Sequence, residues 1–94
     1  MFDGEAFATL DFTPGFLQDL ANGKEFKQAE PNAFLKALRL LDQNEKHKSL
    51  RVHELERDLA GTWSASASDS LRMTFLRIGK GRKVMLTCSH HYDD

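Results

Sequence analysis

Residues 71–89 contain two runs whose side chains alternate between faces, joined by Gly79-Lys80-Gly81. Leu71 to Ile78 forms the first run. In the second, Lys83 to Ser89, one side carries Val84, Leu86 and Cys88 and the other carries Met85 and Thr87. Period-two alternation on both sides of a glycine-bearing turn specifies a β-hairpin. A fold for this chain must therefore contain an antiparallel pair near residue 90. The elements that precede it must cover one face of the resulting sheet.

Those elements have a different period. Thr9, Leu10 and Phe12 favour a strand over residues 6–12. Thr13-Pro14 then reads as a capping residue followed by a first-turn proline. Phe16, Leu17, Leu20 and Ala21 recur at helical spacing until Asn22-Gly23, which predicts a helix over 14–22. Phe34, Leu35, Ala37, Leu38 and Leu41 form a broad apolar stripe on a second helix, 31–44. The period shortens again from Leu50, where Leu50, Val52 and Leu55 suggest an extended segment. Residues 62–68 alternate small apolar and hydroxyl side chains and predict a further strand, with Asp69-Ser70 turning it into 71–79 and then 83–90. The order β-α-α-β-β-β predicts an α+β domain, with both helices on one face of a mostly antiparallel four-stranded sheet.

A chain of 94 residues reads as one domain, 1–94. At this size folding buries only roughly 60–65% of the unfolded surface, so a bound partner would add usefully to stability. No apolar run approaches the ~18 residues a membrane span needs, and no secretory signal pattern opens the sequence. The single cysteine, Cys88, cannot form an internal disulfide, which favours a reducing, cytoplasmic setting. It also leaves no standard zinc spacing for His53, His90 and His91 to complete, so neither a metal nor another cofactor is expected. The net charge of −1 is low for a nucleic-acid binder, but it is unevenly distributed. Residues 1–45 hold 4 basic and 8 acidic side chains, whereas residues 46–83 hold 9 basic and 4 acidic. Small domains also acquire such asymmetry by chance.

Three stretches resemble toxins of the RelE/ParE superfamily, most closely its YoeB and YafQ branches. His53-Glu54-Leu55 leading into Leu59-Ala60-Gly61-Thr62-Trp63-Ser64 is similar to the family's "pLkg-lsG-ws" segment. Asp69-Ser70-Leu71-Arg72-Met73-Thr74-Phe75 is similar to its "e-hRlvY" strand, and Leu86 to Tyr92 to its C-terminal "a-c-yHY". The resemblance implies a toxin of a type II toxin–antitoxin system. Such a protein would be an mRNA endoribonuclease acting on the ribosome and held in check by a cognate antitoxin. The superfamily's ParE branch implies instead a non-enzymatic inhibitor of DNA gyrase.

RNA is cut when its 2′-OH attacks the adjacent phosphorus. That step needs a base, an acid for the departing 5′-oxygen and a cation for the charge that develops. The resemblance assigns these roles residue by residue. His91 is the general acid, and an unperturbed imidazole pKa near 6.5 suits it. Arg72 is the guanidinium fork for the phosphate. His53 is the base, with Glu54 in reserve if the register shifts by one. Tyr92 is the aromatic that stacks on a base or touches the phosphate. Arg51, Arg57, Arg77, Lys46 and Lys48 are candidate RNA-backbone contacts. Each has a plain alternative: a terminal histidine, an outward strand arginine, a solvated charge. Trp63 is expected in the core. The sequence departs from the family in two respects: Ser64-Ala65-Ser66-Ala67 carries no charge where basic residues are common, and the first half is acidic where many ribosome-dependent members are rich in Lys or Arg. A catalytically weak relative that only binds its antitoxin is therefore a third reading.

Overall fold

The computed structural model describes residues 7–22 and 30–90. Five strands and two helices appear among them: β1 (Leu10–Phe12), α1 (Pro14–Asn22), α2 (Glu30–Gln43), β2 (His53–Glu54), β3 (Trp63–Ser66), β4 (Leu71–Gly79) and β5 (Arg82–His90). They build one sheet in the order β1-β5-β4-β3-β2. The β2-β3-β4-β5 portion is antiparallel, and β1 runs parallel to β5 with Leu10 opposite Lys83 and Phe12 opposite Met85. The α+β class with two helices agrees with the sequence reading, while the four-stranded antiparallel sheet is corrected to five strands, mixed. The extra strand, β2, is two residues long, too short to generate a readable alternation. The parallel β1 pairing joins residues more than 70 positions apart, which no local pattern encodes.

One core gathers Phe16 of α1, Phe34, Leu38 and Leu41 of α2, and Ala65, Leu71, Met73, Phe75, Met85 and Cys88 of the sheet. Both helices thus cover the same face. The core-facing residues of β5 are Met85 and Cys88, not the Val84-Leu86-Cys88 set that strict alternation selects. The reason is a bulge: Thr74 pairs with Thr87 but Phe75 pairs with Met85, so Leu86 is left over. An unpaired extra residue reverses the parity of everything beyond it.

The bulge is tied to the start of α1. Thr13 donates its N–H to the Met85 carbonyl (3.1 Å) and its hydroxyl to the Leu86 carbonyl (3.4 Å), while the hydroxyl oxygen accepts from Phe16 N–H (3.0 Å). One side chain therefore caps the helix and joins it to β5. Thr13→Ala is expected to cost ~1 kcal/mol, the usual loss for a cap, read as a fall of about 4–8 °C in Tm. An unchanged Tm would mean that the cap is dispensable.

Residue 6 of the expected strand 6–12 lies outside the described residues, and from residue 7 on the strand begins only at Leu10, because Ala8 and Thr9 donate their N–H groups to the Asp42 carboxylate at the end of α2 instead of to a neighbouring strand. Likewise β3 ends at Ser66, not residue 68, as the chain bends into the turn that Arg72 grips.

Candidate functional site

The second face of the sheet has no helix over it among the described residues. Residues opposite one another on paired strands share a face, so the register defines what lies there. His53 is opposite Ser64, Ser64 opposite Thr74, and Thr74 opposite Thr87. The next row is Ser66, Arg72 and Ser89. The Thr74 and Thr87 hydroxyls lie 2.6 Å apart, which fixes their common side. This part of the face joins hydroxyl side chains, of which Ser64 and Ser66 are buried, with His53 and Arg72; further along it carries Leu76, Val84 and the Arg82–Asp11 pair. The sequence contained this row, since Ser64, Ser66, Thr74, Thr87 and Ser89 are an alternating set. Only the register reveals that they adjoin.

Each of the two charged-chemistry residues is held by backbone. The His53 Nδ1 lies 2.8 Å from the Arg51 carbonyl. A carbonyl only accepts, so Nδ1 carries the hydrogen and Nε2 of the neutral ring keeps its lone pair. That is the tautomer a general base requires. Arg51 supplies the carbonyl from a left-handed conformation, φ 50° and ψ 44°, at the end of the 3-10 turn Lys48–Leu50. Arg72 donates Nη1–H to the carbonyls of Ser68 (2.9 Å), Leu71 (3.1 Å) and Asp69 (3.5 Å). Its Nε and Nη2 have no hydrogen-bond partner among the described residues. Arg72 lies two strands over and two residues along from His53, roughly 12 Å between Cα atoms at ordinary sheet spacings. The two side chains share a face but are anchored separately, the Arg72 guanidinium on the 68–71 turn and the His53 ring on the Arg51 carbonyl.

Glu54 is removed as an alternative base. It sits opposite Trp63, on the helix side, and its carboxylate accepts the Gly61 N–H at 2.8 Å. Cys88 is buried, and desolvation, followed by the charge of Asp19, pushes its thiol up to about 12, so it is no nucleophile. No group of three His, Cys, Asp or Glu that could hold a metal ion occurs among the described residues. No helix among them is long and apolar enough to cross a membrane. His91 and Tyr92 lie outside the described residues.

The remaining basic side chains do not join Arg72 on one surface. Arg77 stands two residues beyond Phe75, on the helix side, with its guanidinium 4.3 Å from the Trp63 ring centroid and doubly bonded to Glu45 (2.8 and 3.1 Å). Lys83, buried, reaches the same carboxylate at 2.8 Å. Trp63 is half-buried against the core, as expected of a packing residue. Lys46, Lys48 and Arg51 lie with Arg77 and Trp63 around a cleft of about 400 Å³. Arg51 also lines a second cleft, about 450 Å³, between α2 and the end of β3. Its contact with Asp69 is 4.0 Å and highly exposed, too weak to hold it. Arg57 is in the exposed turn Arg57–Leu59, at φ 61°, away from both clefts. The basic side chains of the second half thus divide between two faces: Arg72, beside His53, and the Asp11-paired Arg82 on the open side, and the 46–51 cations with Arg77 on the helix side. Strand parity separates Arg72 from Arg77, which an odd number of positions divides.

No family model matches the sequence, and no curated protein matches it. Solved structures do match. A YoeB/ParE toxin from Agrobacterium tumefaciens superposes with a TM-score of 0.71 at 20% identity, over 90% of this chain and 100% of that one. The toxin–antitoxin complex RelBE2 from Mycobacterium tuberculosis gives 0.70 at 24% identity, over 88% and 96%. YafQ from E. coli strain BL21(DE3) gives 0.68 at 15% identity, over 86% and 90%.

Proposed function

We propose that this chain, which has the fold of RelE/ParE-type toxins close to YoeB and YafQ, is the toxin of a type II toxin–antitoxin pair and cuts mRNA on the ribosome. The observation that carries this reading is the open face: His53 with Nε2 available as a base, and Arg72 with two guanidinium nitrogens available, on the same surface. His53 takes the 2′-OH proton, the oxygen attacks phosphorus, and Arg72 stabilises the equatorial oxygens. His91 protonates the leaving 5′-oxygen. It stands where the resembled family has its C-terminal histidine. Tyr92 stacks against a base beside it. No step needs a metal.

An antitoxin partner is part of the reading, since neighbours with this fold were solved as toxin–antitoxin complexes. Serines in place of cations on β3 lower the electrostatic attraction for RNA at the open face, which favours slow cutting.

The test is incubation of purified protein with translating ribosomes, followed by mapping of mRNA ends. Cuts leaving 2′,3′-cyclic or 3′-phosphate ends, equal with and without EDTA, are expected. Growth arrest with intact mRNA and inhibited gyrase would replace this reading with the ParE-type one.

A further inference from the structure

The helix-side cleft is not used by the cutting chemistry, yet its lining is specific. Lys46 and Lys48 are exposed at its mouth, on the loop between α2 and β2. His47 between them is oriented: its Nδ1 accepts the Ser49 N–H at 3.2 Å, so the neutral ring carries its hydrogen on Nε2 and is a donor. The inner wall is Trp63 with Arg77 above it. Arg77 is held over the Trp63 ring by its two hydrogen bonds to the Glu45 carboxylate, and the Glu45 charge is matched again by Lys83. The surplus charge of the cleft is therefore positive, contributed by Lys46, Lys48 and Arg51, and it sits beside an aromatic and a guanidinium plane.

Phosphates held by lysines with bases against aromatic or guanidinium planes is the way proteins hold single-stranded nucleic acid. A cleft of about 400 Å³ accommodates one nucleotide. It is separated from His53 only by the two-residue edge strand β2 and by Arg51 and Val52, of which Arg51 carries the His53-orienting carbonyl. We propose that this cleft is a second RNA subsite, taking a nucleotide of the same single strand after it crosses the β2 edge from the open face. One base lies against the Trp63–Arg77 pair, and its flanking phosphates contact Lys46 and Lys48. The identity of the ligand as RNA rests on the cutting reading above.

Trp63 is the chain's one tryptophan, so its fluorescence reports on this cleft alone. The probe is a ten-nucleotide 2′-O-methyl RNA, which has no 2′-OH to attack and cannot be cut. Titration into the wild type should quench Trp63. In the double variant Lys46→Ala, Lys48→Ala the salt dependence of binding should flatten by about 0.7 per lost phosphate contact, and the quench at moderate salt should largely vanish. Circular dichroism checks that the variant is folded. The same variant should raise KM for cutting mRNA on translating ribosomes and leave kcat near the wild-type value, as expected of a residue that binds but does not react. Absence of quenching in the wild type, or an undiminished quench in the double variant, overturns the subsite. Equal quenching by polyglutamate or by inorganic phosphate also overturns it, in favour of an acidic protein or a bare anion. Wild type that quenches normally but cuts no mRNA on translating ribosomes would sink the cutting reading and leave the subsite standing.

Discussion

His53→Ala and His91→Gln should each slow mRNA cleavage by ~10²–10⁴-fold, the span of general acid–base assistance, and Arg72→Ala by ~10²–10³-fold, as for loss of one charge-stabilising donor. The three need not add, because residues acting in one step share a barrier. Arg72→Lys should recover little, since an ammonium cannot reproduce the guanidinium fork. Arg72 also grips the carbonyls of Ser68, Asp69 and Leu71, so its removal will loosen that turn. The effect on folding should be small because the turn is exposed. The deciding variant is Arg51→Gly. It keeps the left-handed backbone, which glycine adopts freely, and so preserves the carbonyl that orients His53. Cutting by Arg51→Gly within about tenfold of wild type, beside a His53→Ala that is inactive, would support an oriented base. Equal, full activity in His53→Ala, His91→Gln and Arg72→Ala would remove the catalytic assignment altogether.

Periodicity made the helices and the β4–β5 hairpin legible, because long amphipathic segments write their period directly into the sequence. Where the structure departs from that reading, non-local pairing or a single bonded side chain is responsible. The Leu86 bulge flips the parity of β5, and Thr13, more than 70 positions away, is bonded across it. The carboxylate of Asp42 takes the N–H groups that would have extended β1. Among candidate site residues, the sequence named His53 and Arg72 through their likeness to known motifs but not their environment. That the histidine's tautomer is set by the carbonyl two residues earlier depends on the positive φ of Arg51, for which nothing in an arginine signals a preference. The basic count over 46–83 was visible, yet charge totals carry no face. Dividing Arg72 from Arg77 required strand parity, and bringing Lys46 and Lys48 to Trp63 required the fold of the α2–β2 loop around Glu45.

That loop supplies the largest expected effect on stability. Lys83 is 3% exposed and its ammonium is bonded to Glu45, which also receives the Arg77 fork. Hydrogen bonding from Arg77, outweighing partial burial and helped by Lys83, holds the Glu45 carboxyl at about 2, below the 4.5 of an unperturbed glutamate. A depressed folded-state pKa stabilises the fold fully above the unfolded value and loses that contribution as pH falls toward the folded one. Stability should therefore decline between pH 5 and pH 2 by roughly 3 kcal/mol through this group. Glu45→Gln should abolish that part of the decline and destabilise the protein at neutral pH by ~3–5 kcal/mol, because it strands a buried cation. Lys83→Met, which removes the buried charge and keeps its volume, should be much milder, and in the Glu45→Gln background it should restore stability. Urea unfolding at pH 7 and pH 3 measures all four proteins. If Glu45→Gln unfolds at the wild-type urea midpoint at pH 7, the triad does not hold the loop, and the fixed Trp63–Arg77 wall of the helix-side cleft loses its support.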